Sequence, residues 1–204
     1  MHIAIAGNIG AGKTTLTSLL AKHYGWKPEY EEVLENPYLE DFYNNMARWS
    51  FNLQVYFLNS RFRQVKQIQN QEKTVIQDRT IYEDAHIFAP NLHAMGLMTN
   101  RDFENYASLF ELMASLTKGP DLLIYLRSSV PNLVQQIQER GREYESGISI
   151  DYLTRLNERY EAWIHDYQKS NLLIINVDEV NFVNDPEGLG SIINKIDAEL
   201  HGLF

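Results

Sequence analysis

An apolar, strand-like run, Ile3–Ala6, leads without a break into Gly7-Asn8-Ile9-Gly10-Ala11-Gly12-Lys13-Thr14, and from Thr15 onward Leu16, Leu19 and Leu20 recur at helical spacing. The order is strand, glycine-rich turn, helix, and the turn fits G-x-x-x-x-G-K-[ST] at every fixed position. Glycines let the backbone turn tightly enough for successive N–H groups to point inward at a β-phosphate, and the helix N-terminus behind them adds partial positive charge. Lys13 supplies a mobile cation, and the Thr14 hydroxyl a ligand for Mg²⁺. Gly7, Asn8, Ile9, Gly10, Ala11, Gly12, Lys13, Thr14 and Thr15 are therefore read as a loop that binds a nucleoside triphosphate with Mg²⁺. An inert turn of the same composition would not need both flanking elements.

The rest of the chain reads as α/β. Apolar, β-branched runs at Thr74–Gln77, Leu122–Leu126 and Leu172–Val177 are expected to join Ile3–Ala6 as buried parallel strands, with Glu29–Val33 as a fifth. Helical spacing covers Pro37–Asn45, Trp49–Asn70, Tyr82–Phe88, Arg101–Thr117, Pro131–Glu139, Ile150–Lys169 and Leu189–Leu200. Three strands end in polar residues, Asp78, Arg127 and Asp178, which puts functional groups where open α/β sheets bind ligands. With 204 residues and no linker or repeat, residues 1–204 are read as one domain. A net charge of −9 argues against broad nucleic-acid binding. The chain has no cysteine, which excludes disulfides and thiolate metal sites. It also lacks a signal-like N-terminus and any apolar run of spanning length, so it is read as cytoplasmic and not membrane-bound.

The patch Glu139-Arg140-Gly141-Arg142-Glu143-Tyr144-Glu145 separates two helical patterns. A solvated helix end is the plain reading of such a run. Beside a phosphate loop, two arginines around a glycine read instead as a lid, residues 139–148, that brings Arg140 and Arg142 over the transferring phosphoryl group. On the acceptor side, a neutral sugar hydroxyl needs a carboxylate to take its proton. Glu31 and Glu32, at the end of the second strand and expected beside the phosphate-loop strand, are candidates. Asp78-Arg79 offers a carboxylate for Mg²⁺ and an arginine for phosphate or the attacking hydroxyl.

Taken together, Gly7–Thr15, Glu31-Glu32-Val33, Tyr43 with Arg48–Gln54, Asp78-Arg79-Thr80 and Arg140-Gly141-Arg142 with Glu145 resemble the deoxynucleoside kinases of the deoxycytidine/deoxyguanosine kinase type, in the family's order, from Met1 to about Val183. Glu35-Asn36-Pro37-Tyr38-Leu39 and Asp78-Arg79-Thr80-Ile81-Tyr82-Glu83-Asp84 look closest to the bacterial deoxyadenosine/deoxyguanosine kinases. The resemblance implies a P-loop kinase fold, a five-stranded parallel sheet flanked by helices with a lid, that phosphorylates the 5′-hydroxyl of a deoxynucleoside. It implies Glu31 as general base, although this chain has Glu32 where the family usually has proline. It implies Arg79 at the attacking oxygen, Asp78 near Mg²⁺, and Tyr43 with Glu145 on the 3′-hydroxyl. Gln54 would read the base edge, Arg61 and Asp84 would form a charged pair beside it, and Phe88 and Phe110 would stack on it. Gln136 stands where family lids often carry another arginine. Phe182 would pack on the donor base. A homodimer through Trp49–Asn70 and Arg101–Thr117 is implied. The preferred acceptor is expected to be deoxyadenosine, with deoxyguanosine or deoxycytidine as alternatives. The rival readings are a deoxynucleoside monophosphate kinase, which needs more arginines near Glu31, and a nucleotide-controlled switch protein.

Overall fold

The computed structural model describes residues 1–31, 36–145 and 147–202. Five parallel strands form one sheet in the order β2-β3-β1-β4-β5: β1 His2–Gly7, β2 Lys27–Glu29, β3 Val75–Asp78, β4 Leu122–Arg127 and β5 Asn171–Asn176. β1 is central, with Ile3 opposite Ile76 on one side and Leu122 on the other. Because successive strand side chains alternate faces, Ile3, Ile5, Leu122 and Ile124 point into one apolar cluster with α1 (Lys13–Tyr24) and the C-terminal helix Pro186–His201. Ala4, Ala6, Leu123 and Tyr125 point into the other, beneath the helices Met46–Gln69, Asn100–Ser115 and Ile150–His165. Both faces of the sheet are thus covered, as a parallel sheet requires.

The remaining helices are α2 (Leu39–Asn44), α3 (Met46–Gln69), α4 (Ile81–Glu83), α5 (Ala89–Ala94), α6 (Asn100–Ser115), α7 (Val130–Arg140), α8 (Ile150–His165) and α9 (Pro186–His201). α3 starts earlier than its apolar spacing suggests because the Asn45 side chain accepts from the Arg48 N–H and caps it. α4 continues through a π-helical stretch, Asp84–Phe88, into α5. Pro90, which lies in the first turn of α5, has no N–H and would crowd the carbonyl four residues back, and a widened turn relieves that contact.

Three expectations change. β2 lies at Lys27–Glu29, not Glu29–Val33, and it pairs with β3, so β3 separates it from β1. An edge strand of three part-exposed residues carries no apolar alternation to find, and Pro28 is tolerated there; Glu32 and Val33 lie outside the described residues. β5 is an edge strand with Asn171 and Ile174 exposed, not a buried one. α8 stops at His165 and not Lys169, capped by Asp166. Among the described residues no helix is long and apolar enough to cross a membrane.

Candidate active site

A cavity of about 760 Å³ opens above the carboxyl ends of β1 and β3, where ligands bind in open α/β sheets. Its floor is the loop after β1. Gly12 is the left-handed N-cap of α1 (φ +86), no side chain among the described residues caps that helix, and its first residues line the cavity. At Gly10 (φ +88) a Cβ would lie 2.8 Å from the Leu133 carbonyl oxygen of α7. That contact, added to the left-handed backbone, explains why only glycine fits. Asn8 anchors the loop from the other side: its amide donates to the Leu153 carbonyl at 3.1 Å and to Asn157 at 3.0 Å, both on α8. Lys13 is buried and donates to the Asn8 carbonyl at 2.9 Å. Burial, then the nearby Arg79, pushes its ammonium down to about 8. Ile9, Gly10, Gly12, Lys13, Thr14 and Thr15 all line the cavity. Ala11 is buried in the core beneath them.

The Thr14 hydroxyl donates to Asp78 at 2.5 Å, and the other carboxylate oxygen of Asp78 is buried without a partner among the described residues. Burial raises the Asp78 carboxyl above its usual range, against the pull of Lys13. A hydroxyl and a carboxylate oxygen side by side at the phosphate loop suit a hard cation that keeps most of its other ligands from phosphate and water.

Beyond the phosphate loop the charges alternate in a line. Asp84 is ion-paired to Nε of Arg61, and Nη2 of Arg61 donates to Glu31 at 2.7 Å. Nε of Arg79 stands 3.3 Å from the same Glu31 oxygen, though without hydrogen-bond alignment. Nη1 of Arg79 reaches Glu83 at 3.3 Å and the Tyr160 hydroxyl at 2.8 Å. Burial alone would raise the Glu31 carboxyl; Arg79, Arg61 and Lys13 outweigh it and hold it down at about 2. Asp84 goes the other way, up to about 6, because its burial exceeds what Arg61 and Arg79 return. Arg79 also has a left-handed backbone (φ +70), the only non-glycine to do so among the described residues. Such a conformation costs of order 1–3 kcal/mol and persists where its surroundings impose it. Its guanidinium stacks over Phe88 at 4.8 Å.

Gln54, Tyr43, Phe88, Gln136, Arg140, Arg142 and Glu145 complete the wall. Oε1 of Gln54 is buried without a partner among the described residues. The Tyr43 ring stacks on Tyr144 at 5.7 Å. α7 ends at Gly141, whose left-handed backbone turns the chain into a 3₁₀ turn, Glu143–Glu145. Within that turn Arg140 grips the buried Glu145 with contacts of 2.6–3.1 Å, and Arg142 approaches it at 3.4 Å.

Two predicted positions are corrected. Phe110 does not face the cavity; it packs edge-on against Tyr82 and His86 in the core, since α6 presents it to the helix beneath. Phe182 is buried against the loop, where a Cβ on Gly12 would meet its ring at 2.9 Å, so it supports the loop from the core side and presents no open face for stacking. Sequence reasoning missed Glu83, although Thr80-Ile81-Tyr82-Glu83 carries the S/T-x-x-E helix-start signature that could have found it. It also missed the cavity-lining Tyr30, Tyr144 and Tyr152, which no spacing rule singles out.

The comparisons agree with this geometry. The family model for deoxynucleoside kinase matches residues 3–201. A deoxyadenosine/deoxycytidine kinase of Bacillus subtilis is 42% identical over 202 residues, covering 98% of this chain and 93% of the relative. A deoxyadenosine kinase of Dictyostelium discoideum is 41% identical, covering 94% and 77%. The solved structure of a deoxyadenosine kinase from M. mycoides with the products dCMP and dCDP superposes with a TM-score of 0.87 at 31% identity, covering 97% of this chain and all of that one. A family model that spans nearly the whole chain, and a relative matched over almost its full length, show that this chain belongs to the deoxynucleoside kinase family.

Proposed function

We propose that this kinase transfers the γ-phosphate of ATP to the 5′-hydroxyl of deoxyadenosine, with deoxycytidine and deoxyguanosine as lesser acceptors, in nucleotide salvage. The observation that carries the base assignment is the unpartnered amide oxygen of Gln54, buried in the wall that also holds the Arg61–Asp84 pair. An amide and a carboxylate together complement a base that shows an amino group beside a ring nitrogen. Thymine has a carbonyl where those bases carry the amino group, so it offers Asp84 no donor, and a site built around that hydrogen bond discriminates against a base that lacks it. The Bacillus subtilis relative is named for both an adenine and a cytosine deoxynucleoside, and both bases carry that amino group.

In the proposed reaction the 5′-oxygen attacks the γ-phosphorus, the bond to the β–γ bridging oxygen breaks, ADP leaves, and the 5′-hydroxyl proton passes to Glu31. A carboxylate held near 2 is a weak base. Phosphoryl transfer runs through a loose transition state, so little basicity is needed until the new bond is formed. Arg79 would steady charge on the attacking oxygen, and Lys13, Arg140 and Arg142 the charge on the transferring group. For the lid arginines to turn to phosphate they must share or release Glu145, which with Tyr43 would then hold the 3′-hydroxyl. Mg²⁺ fits Thr14 and Asp78, and when bound it supplies charge neutralisation at the phosphate oxygens.

A monophosphate acceptor would call for cations free of carboxylate partners near Glu31, whereas Arg61 and Arg79 are both engaged by carboxylates. Leu112, exposed on α6, and Leu116, exposed at its C-cap, support the proposal of a homodimer through that helix. The test is ATP consumption with Mg²⁺ across the four deoxynucleosides, the matching ribonucleosides and the deoxynucleoside monophosphates. Fastest turnover on deoxyadenosine supports the assignment, fastest turnover on thymidine refutes the role given to Gln54 and Asp84, and turnover confined to monophosphates refutes Glu31 as base.

A further inference from the structure

Glu83 is fully buried, stands outside the cavity wall, and has no part in the reaction as described. A buried carboxylate is held only by donors, and this one has four. Its Oε2 accepts from the Thr80 N–H at 2.7 Å. Its Oε1 accepts from the Tyr160 hydroxyl at 2.8 Å, from Nη1 of Arg79 at 3.3 Å, and from the Gly7 N–H at 3.3 Å. Those donors come from three separate places: the first residue of the phosphate loop, the left-handed turn that carries Arg79, and α8. Tyr160 closes a triangle, since its hydroxyl also accepts from Nη1 of Arg79 at 2.8 Å. α8 is tied independently to the same loop through Asn8.

We propose that Glu83 is a positioning residue for phosphoryl transfer, which locks the Arg79 guanidinium to the phosphate loop so that donor and acceptor sides hold one geometry. Two ends of the same guanidinium are involved. Nη1 is occupied by Glu83 and Tyr160, and Nε is thereby left facing Glu31 at 3.3 Å. A guanidinium with one edge fixed can present the other without further loss of freedom. The positive φ of Arg79 fits the same reading, because the contacts of its side chain and of Thr80 N–H converge on one carboxylate. A plain helix cap would need only the Thr80 contact. The inference rests on the proposed place of Arg79 at the attacking oxygen.

The test uses Glu83→Gln, Tyr160→Phe and Arg79→Lys, alone and combined, assayed on whichever deoxynucleoside wild type turns over fastest. Glu83→Gln keeps the shape but can satisfy only one side of the node, and kcat is expected to fall by about thirtyfold or more, with both KM values within about threefold. Tyr160→Phe, which removes one hydroxyl, should show the same pattern at about three- to tenfold, and it carries the test if Glu83→Gln does not fold. In the Arg79→Lys background Glu83→Gln should change kcat less than about twofold, because its route of action is gone. Near-wild-type kcat in a folded Glu83→Gln or Tyr160→Phe variant, or a full multiplicative loss in the Arg79→Lys background, overturns the proposal and leaves Glu83 a helix cap. Wild-type kcat for Arg79→Lys alone would instead remove the role proposed for Arg79, and a preference for another base would change only the acceptor.

Discussion

Replacing Glu31 by glutamine keeps the side chain's shape and deletes the charge shared by Arg61 and Arg79. The structure gives the size of the effect. The carboxyl lies at about 2 against an ordinary 4.5, and at 1.36 kcal/mol for each pH unit the charged form is favoured by ~3 kcal/mol over the neutral one. Glutamine resembles the neutral form, so Glu31→Gln should cost ~3 kcal/mol at pH 7, with Arg61 and Arg79 left repelling each other in a buried site. The sign follows from a folded value below the unfolded one. The contribution is complete above 4.5 and is lost as pH falls from there towards 2, so the gap between wild type and variant should narrow by ~1 kcal/mol at pH 4. Urea unfolding at both pH values measures this directly. The kinetic arm is independent: if Glu31 accepts the proton, kcat should fall ~10²-fold or more while ATP affinity stays within about threefold. A variant that unfolds with wild type at pH 7 would refute the electrostatic account. Near-wild-type kcat would move the base elsewhere, to Glu32 first.

Lys13, held at about 8 in the free protein, should return to full charge when phosphates arrive, so ATP binding near pH 8.5 is expected to take up protons. Calorimetry in buffers of different ionisation enthalpy detects that, and zero uptake refutes it. Phe110→Ala should destabilise by ~3–5 kcal/mol through a core cavity while leaving the deoxynucleoside KM unchanged, as measured by urea unfolding and steady-state kinetics. Gln54→Leu should raise the KM for deoxyadenosine at least ~tenfold and narrow its advantage over thymidine. Leu112→Glu with Leu116→Glu should lower the mass seen by light scattering from dimer to monomer if α6 forms the interface.

The phosphate loop was legible because its chemistry is local: three glycines with positive φ, one cation and one hydroxyl occupy eight consecutive residues. The strands at β1, β3 and β4 were legible for a related reason, since strands buried on both faces carry apolar runs, here Ile3–Ala6, Val75-Ile76 and Leu122–Leu126. β2 and β5 lie at the edges, where one neighbour suffices and polar residues are admitted. The exposed Asn171 and part-exposed Pro28 hid their ends. Phe110 shows the same limit from the other side. A phenylalanine at helical spacing marks a buried face, but which body it is buried against depends on a packing direction that periodicity does not encode. Glu83 sits within a recognised motif, yet only the fold brings Gly7 and Tyr160 to its carboxylate.

The line Asp84, Arg61, Glu31, Arg79, Glu83 explains how so much charge can be buried around one cavity. Each ion has an opposite neighbour, so the site is stable before substrate enters, and a ligand must exchange partners and not merely add them. The polar atoms left over are then informative. Oε1 of Gln54, Oδ1 of Asp78 and Nε of Arg79 are buried with no hydrogen-bond partner among the described residues. On the proposed reading they lie where the base edge, the metal ion and the 5′-oxygen would come. Each buried polar atom without a hydrogen bond costs about 1–3 kcal/mol. Their survival at three points of one cavity is what a bound nucleoside and a bound nucleotide, present together, would make good.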